Sequence, residues 1–327
     1  LGDVYKRQVH APLLHRDRAP AGGDRRRRNG VTLSSVRGRI FIVGVPRSGT
    51  TLLQALLAAH GDVTSFTESH FFDRPFTIVP GLGPVLTGDP TPRLVEFLAE
   101  NDAPGGDAAR WFGPPPPRAL RWRALMPLHT LRVARRLVGV LDEIAADRRA
   151  PVWLEKTPRH LRSLPMLERV CDDGVPTIFV HVVRDGLETV ASLFRASRHW
   201  ERAYDLDECV ERWNHDLALT AARLGSPGHH AVLYEELTAD PAAVLRPLLA
   251  ALDLSWQPGI LAGYAAAAED VVVSGESWKD DVGREIRPSA TAERVFDSRQ
   301  RQRVAALLRS DLYAAVASRG EGEIGRG

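Results

Sequence analysis

The chain has 327 residues, 44% hydrophobic and 26% charged, which fits one large α/β domain of a globular protein. It encodes no run of about 20 apolar residues, so no membrane span is expected, and its first forty residues lack the apolar stretch of a secretory leader. The formal charge of +2 hides an asymmetry: residues 1–39 hold ten Lys/Arg against three Asp/Glu and the remainder is acidic, so the basic character belongs to an arm and predicts no nucleic-acid partner.

In chain order, that arm comes first. Residues 1–38, with the run Arg25–Arg28, have no hydrophobic period and are expected to be disordered. Asp3–Gln8 reads like a translated sequencing-library end, so part of the arm is expected to be non-native, with a native start near Val31. Residues 39–318 then read as one domain, followed by a short disordered tail, 319–327. Arg39–Val45 is an apolar, β-branched run suited to a buried parallel strand, and Thr50–His60 is a strong helix former with Gly61 placed as its C-cap. A second strand fits 63–67.

Residues 74–150 read as an insertion for acceptor binding. Its first part, 74–118, is rich in Gly and Pro; from 119 to 149, Leu120, Leu125, Leu128, Leu131, Leu137, Val138 and Leu141 form a helical stripe. Strands follow at 151–155, 177–183 and 231–234. Helices are expected at 187–197, 206–224, 240–252 and 298–317, the third of them capped by Asp240 and Pro241. Strands alternating with helices predict a doubly wound parallel sheet of about five strands flanked by helices.

Cys171 and Cys209 are too few for a disulfide framework and are expected to be buried thiols in a reducing, cytoplasmic compartment. Lysine occurs only at 6, 156 and 279, so Arg supplies forty of the 43 basic residues, a composition expected of a GC-rich bacterial genome. Where Arg is used almost everywhere, Lys156 stands out as a compact, strongly hydrated point charge.

Between the first strand and helix lies Gly44-Val-Pro-Arg-Ser-Gly49-Thr-Thr51. A strand, a glycine-bounded turn and a helix N-terminus aim backbone N–H groups and the helix dipole at an anion. The spacing is that of a phosphate loop, but Thr50 replaces the lysine that contacts β- and γ-phosphates in nucleoside triphosphatases. That argues against a phosphotransferase acting on a triphosphate, and Arg47 offers a planar fork to phosphate or sulfate instead. A regulatory protein that holds nucleotide without chemistry is the other alternative.

Val45–Leu53 resembles the 5′-phosphosulfate loop of sulfotransferases that use 3′-phosphoadenosine 5′-phosphosulfate, in the form seen in tyrosylprotein sulfotransferases and bacterial sulfotransferase-family proteins. The resemblance implies a P-loop NTPase-like fold and donor contacts from Arg47, Ser48, Gly49, Thr50, Thr51 and Leu52. It continues at Phe179–Ser192, where Arg184 and Ser192 match the positions that bind the 3′-phosphate. Tyr234 in Tyr-Glu-Glu-Leu is carried over as a donor contact, and Lys279 and Arg287 as basic contacts from a late loop.

Sulfuryl transfer needs cations for the leaving oxygen and a base for the acceptor hydroxyl. Arg47 and Lys156 are the candidate cations. Glu68 is the candidate base by resemblance, with His70 the alternative because an imidazole titrates in the right range untuned. No metal is expected, since the transferred group carries a single negative charge. The acceptor is a small-molecule, sugar or peptide hydroxyl, with Phe71, Phe72, Trp111, Phe112 and Trp122 as candidate walls, and the oligomeric state is not encoded in these features.

Overall fold

Alternating side chains of the central strand explain the architecture. In β1 (Gly38–Gly44), Ile40 and Ile42 face one way and Phe41 and Val43 the other, and all four are buried. A strand buried on both faces needs helices above and below it. A computed structural model describes residues 36–81, 83–103, 126–271 and 285–324 of the chain, all within one compact unit.

The main sheet contains β1, β2 (Val63–Ser65), β5 (Val152–Lys156), β6 (Thr177–Val183) and β7 (His229–Leu233), in the order β2-β5-β1-β6-β7. Every pairing is parallel, with Ile40 opposite both Leu154 and Ile178. This is the expected P-loop NTPase-like doubly wound sheet. The chain leaves β1 toward β2 and β5, then crosses back to β6 and β7. The order therefore reverses at β1, where open α/β sheets bind ligands at the carboxyl ends of their strands.

One face of the sheet carries Ile40, Ile42, Leu154, Val180 and Val182. It packs on α1 (Thr50–Ala58), α8 (Pro241–Ala250) and α9 (Gly259–Val271). The short α7 (Tyr234–Ala239) leads into α8. The other face carries Phe41, Val43, Trp153 and Phe179, under α2 (Thr91–Glu100), α3 (Met126–Asp147) and α4 (Leu164–Cys171). Fully burying each such side chain contributes about 1.5–3 kcal/mol. A third cluster joins Val183 to α5 (Gly186–Ser197), α6 (Leu206–Ala221) and the C-terminal helices. Both cysteines are buried and unpaired. Among the described residues no helix is long and apolar enough to cross a membrane.

Several expectations shift. Helix α1 ends at Ala58, and its C-cap is Ala59, not Gly61. His60 takes over that end: its Nδ1 accepts from the Asp62 N–H at 3.1 Å and its Nε2 lies 3.0 Å from the Ser255 carbonyl. Residues 74–118 are not simply loop. They begin with the hairpin β3 (Phe76–Val79) and β4 (Gly83–Leu86) and helix α2, whose Leu94, Phe97 and Leu98 are buried.

In α3, Leu137, Val138 and Leu141 reach the core, whereas Leu128 is 65% exposed. The final helix is broken into α11 (Ser298–Leu307) and α12 (Ser310–Ile324), preceded by the short α10 (Ala292–Val295). Asn214 of α6 supports the break, donating to the Leu307 carbonyl at 2.9 Å and accepting from the Arg309 N–H at 2.8 Å. The arm before residue 36 and the last three residues lie outside the described residues.

Candidate active site

The phosphate loop is built by close approach. Gly44 has φ 146°, and a Cβ there would lie 2.4 Å from the Val182 carbonyl oxygen of β6. Gly49 has φ 100°, and its Cβ would lie 2.4 Å from Cδ2 of Tyr234. Only glycine fits either place. Arg47 takes a left-handed φ of 77°, which turns its side chain out of the loop. Ser48 is buried, and its hydroxyl donates to the Val182 carbonyl at 2.9 Å, so its side chain ties the loop to β6. The first turn of α1 holds no acidic residue of its own to offset the dipole's positive end.

The second phosphate segment lies beside it. Asp185 caps α5 by accepting from the Glu188 N–H at 2.9 Å, which sets Arg184 at the end of β6. Arg184 is buried. It donates through Nη2 to the Ser289 carbonyl at 2.7 Å and to Glu188 at 3.1 Å, and its guanidinium lies 4.4 Å over the Tyr234 ring. Among the described residues its buried Nε has no hydrogen-bond partner. A buried guanidinium N–H of this kind suits an anionic partner. Arg47 Nε donates to Ser192 Oγ at 3.4 Å, so the two segments meet. Tyr234 joins them by packing on Gly49, and its hydroxyl donates to the Arg287 carbonyl at 3.4 Å. Burial raises the Tyr234 pKa, and the nearby Arg184 offsets part of the rise.

The candidate base and cation side chains come from the ends of β2 and β5. Lys156 is the last residue of β5, is 1% exposed, and donates to Glu68 Oε1. Glu68 Oε2 lies 3.6 Å from His70 Nε2, and His70 Nδ1 lies 3.2 Å from both oxygens of Asp73. Burial works to raise Asp73, but the His70 hydrogen bond outweighs it and holds the carboxyl low. Both candidate bases therefore stand together beside Lys156.

One cavity of about 940 Å³ gathers most of these groups, while the buried Ser48 and Lys156 lie behind its lining. Arg47, Gly49, Thr50, Thr51, Leu52, Glu68, His70, Arg184, Ser192, Tyr234 and Arg287 all line it. Leu193, Trp200 and Tyr204 line it too, with Arg159, Arg162 and Arg212. Arg162 is held at 2.9 Å by Asp216, a buried carboxyl that burial raises and Arg162 partly restores.

Phe71 and Phe72 are not cavity walls: both are buried in the core beneath β1, each packing edge-on against another ring. Lys279, Trp111, Phe112 and Trp122 lie outside the described residues. The sequence reading missed Glu155, Thr157, His160 and Arg93, which hold the Glu68 loop. Only the Glu155-Lys156 neighbourhood in sequence pointed toward them.

A doubly wound parallel sheet, with a glycine-bounded loop after β1 and a second strand–helix turn after β6 meeting at its switch point, is the P-loop type of fold. The chain belongs to the sulfotransferase family: residues 39–258 match the model of that family. Among relatives, a Drosophila melanogaster protein-tyrosine sulfotransferase is 25% identical over 242 residues, covering 68% of this chain and 39% of its own length. Protein-tyrosine sulfotransferase A of Caenorhabditis elegans is 23% identical over 252 residues, covering 74% of this chain and 57% of its own. The chain thus spans less than two thirds of either relative. Among solved structures, mouse sulfotransferase SULT7A1 complexed with PAP is 13% identical with a TM-score of 0.48, covering 88% of this chain and 91% of that one.

Proposed function

We propose that this protein transfers a sulfuryl group from 3′-phosphoadenosine 5′-phosphosulfate to an acceptor hydroxyl by in-line displacement. The observation that carries this reading is that Arg184, whose buried Nε has no partner among the described residues, lines one cavity with the phosphate loop. Two separate anion sites suit a donor with phosphates at both ends of its ribose. A triphosphate would call for a lysine where Thr50 stands.

The residues divide the work by position. The loop backbone from Arg47 to Leu52 and the α1 N-terminus hold the 5′ end, and Arg184 with Ser192 holds the 3′-phosphate. The donor, once bound, supplies an activated sulfuryl group. Lys156 and Arg47 offset the charge that develops on the leaving oxygen. Glu68 takes the acceptor proton, with His70 held at its side by Asp73. Trp200, Tyr204 and Leu193 take the place of Phe71 and Phe72 as walls for a small-molecule, sugar or peptide acceptor.

Thermal shifts with adenosine 3′,5′-bisphosphate, ATP–Mg²⁺ and AMP test the donor site. A ligand at a hundred times its dissociation constant adds about 2.7 kcal/mol. The bisphosphate should stabilise most, and stabilisation by ATP–Mg²⁺ alone would overturn the reading. A panel of hydroxyl acceptors with labelled donor then identifies the acceptor.

A further inference from the structure

The segment that carries Glu68 and His70 is irregular yet partly buried, so its backbone needs partners from side chains. Those partners come from two sides. From below, Glu155, which is fully buried, accepts at Oε1 from the Ser69 N–H at 3.1 Å, the Ser69 hydroxyl at 2.8 Å and the Thr157 hydroxyl at 2.5 Å. Its Oε2 lies 3.0 Å from His160 Nδ1. The Phe72 N–H donates to His160 Nε2 at 3.2 Å, which leaves Nδ1 as the N–H of the neutral ring and Glu155 as its acceptor. The His70 N–H donates to Thr157 Oγ1 at 3.3 Å.

From above, Arg93 of α2 donates through Nε to the Ser69 carbonyl at 2.7 Å and through Nη2 to the Glu68 carbonyl at 2.5 Å. Glu100 holds the same guanidinium at 2.8 and 2.9 Å. Between the two grips the backbone is bent enough to put His70 at φ 52°, a left-handed conformation that histidine rarely holds without support.

We infer that Glu155 and Arg93 are positioning residues: they clamp the Glu68–His70 backbone from opposite sides and so present the Glu68 carboxylate to Lys156. The adjacency of Glu155 and Lys156 in β5 makes this economical, because one strand end sets both the base's backbone and its cationic neighbour. Every group facing Glu155 is a donor. A glutamine there turns its own NH₂ toward a donor whichever way it flips, so Glu155→Gln breaks at least one grip while keeping the shape. The kinetic part of this inference rests on the sulfotransferase reading, whereas the clamp itself does not.

The test uses the full chain with labelled donor and an acceptor it accepts. Glu155→Gln should lower kcat about ten- to a hundredfold, the range for groups that orient an active residue from behind, and should leave the donor KM within about twofold. In a Glu68→Gln background the same change should add no further loss, since it acts through Glu68. Amide hydrogen exchange at Ser69, His70 and Phe72 should quicken, with β1 and β6 unaffected.

An intact kcat in Glu155→Gln together with a protected Ser69 amide overturns the inference. So does a loss of equal size with and without Glu68. If Glu155→Gln does not fold, Arg93→Gln and Ser69→Ala loosen the same backbone singly and are read by the same criteria. Should the unsubstituted protein sulfate no acceptor, the sulfotransferase reading falls, and the exchange comparison still decides the clamp.

Discussion

Lys156 and Glu68 stand 88 residues apart in the chain and touch at the mouth of the sheet, the ammonium donating to the carboxylate. Their meeting follows from topology: β2 and β5 are parallel neighbours, so Lys156 at the carboxyl end of one and Glu68 just past that of the other share one edge. The lysine is almost fully buried while the carboxylate is about a quarter exposed. The cation is therefore fixed in place, and the acid keeps one side toward the cavity.

From this pairing, Lys156→Met should cut kcat by about 10²–10³-fold, the usual cost of losing one preorganised group that meets developing charge. Glu68→Gln should lose turnover to a similar degree. Both should bind adenosine 3′,5′-bisphosphate close to normally, because the two phosphate segments are untouched. Single-turnover kinetics beside calorimetric titration separates the two effects. Weak bisphosphate binding by either variant would move these residues from the reaction to the donor site.

Gly49→Ala should abolish tight donor binding. The new methyl meets the Tyr234 ring and must also adopt a φ of 100°. Relieving only the first strain, in the double variant with Tyr234→Ala, should therefore not restore affinity. A loss of at least tenfold, about 1.4 kcal/mol, is expected in titration with the bisphosphate.

Arg184→Lys should erase the preference for a 3′-phosphate. Lysine keeps the charge but not the fork that reaches Ser289, Glu188 and the cavity together. Affinity for the bisphosphate should drop about ten- to a hundredfold, as hydrogen bonds to charged groups are worth about 1.5–3 kcal/mol. Affinity for AMP, which lacks that phosphate, should hardly change. The ratio of the two dissociation constants is the measurement, and an equal loss for both ligands would remove Arg184 from 3′-phosphate recognition.

How much of this was legible in the sequence depended on range. The β1–loop–α1 unit reads locally, because Ile40 to Val43, Gly44, Gly49 and Thr50 carry their own strand, turn and helix signals. Arg184 was legible because it ends a strong strand and precedes an N-cap aspartate. The hairpin and α2 were hidden by the Gly and Pro that surround them. The clamp was not legible at all: Glu155 meets Ser69 across 86 residues and Arg93 meets Glu68 across 25. A buried glutamate at a strand end looks in sequence like any other strand glutamate. Phe71 and Phe72 were misplaced for a related reason, since aromatic content does not say which side of a loop faces the core.

The buried histidine pair predicts how stability depends on pH. His181 Nε2 lies 3.0 Å from His229 Nδ1 behind β6 and β7. Burial first, and the neighbouring His229 next, lower His181 to about 3; burial lowers His229 to about 4. Both are neutral in the folded protein at any ordinary pH, whereas in the unfolded chain each titrates near 6.5. Below that value the unfolded state takes up protons that the fold refuses. Their contribution is thus complete above about pH 6.5 and is lost as pH falls toward 3–4. For His181 alone the loss between pH 7 and 5 is about 2 kcal/mol. The quantity to measure is therefore the difference between the unmodified chain and His181→Gln in urea unfolding at pH 7 and pH 5. The variant should show the shallower acid decline, and equal slopes would mean that His181 takes up its proton within the fold.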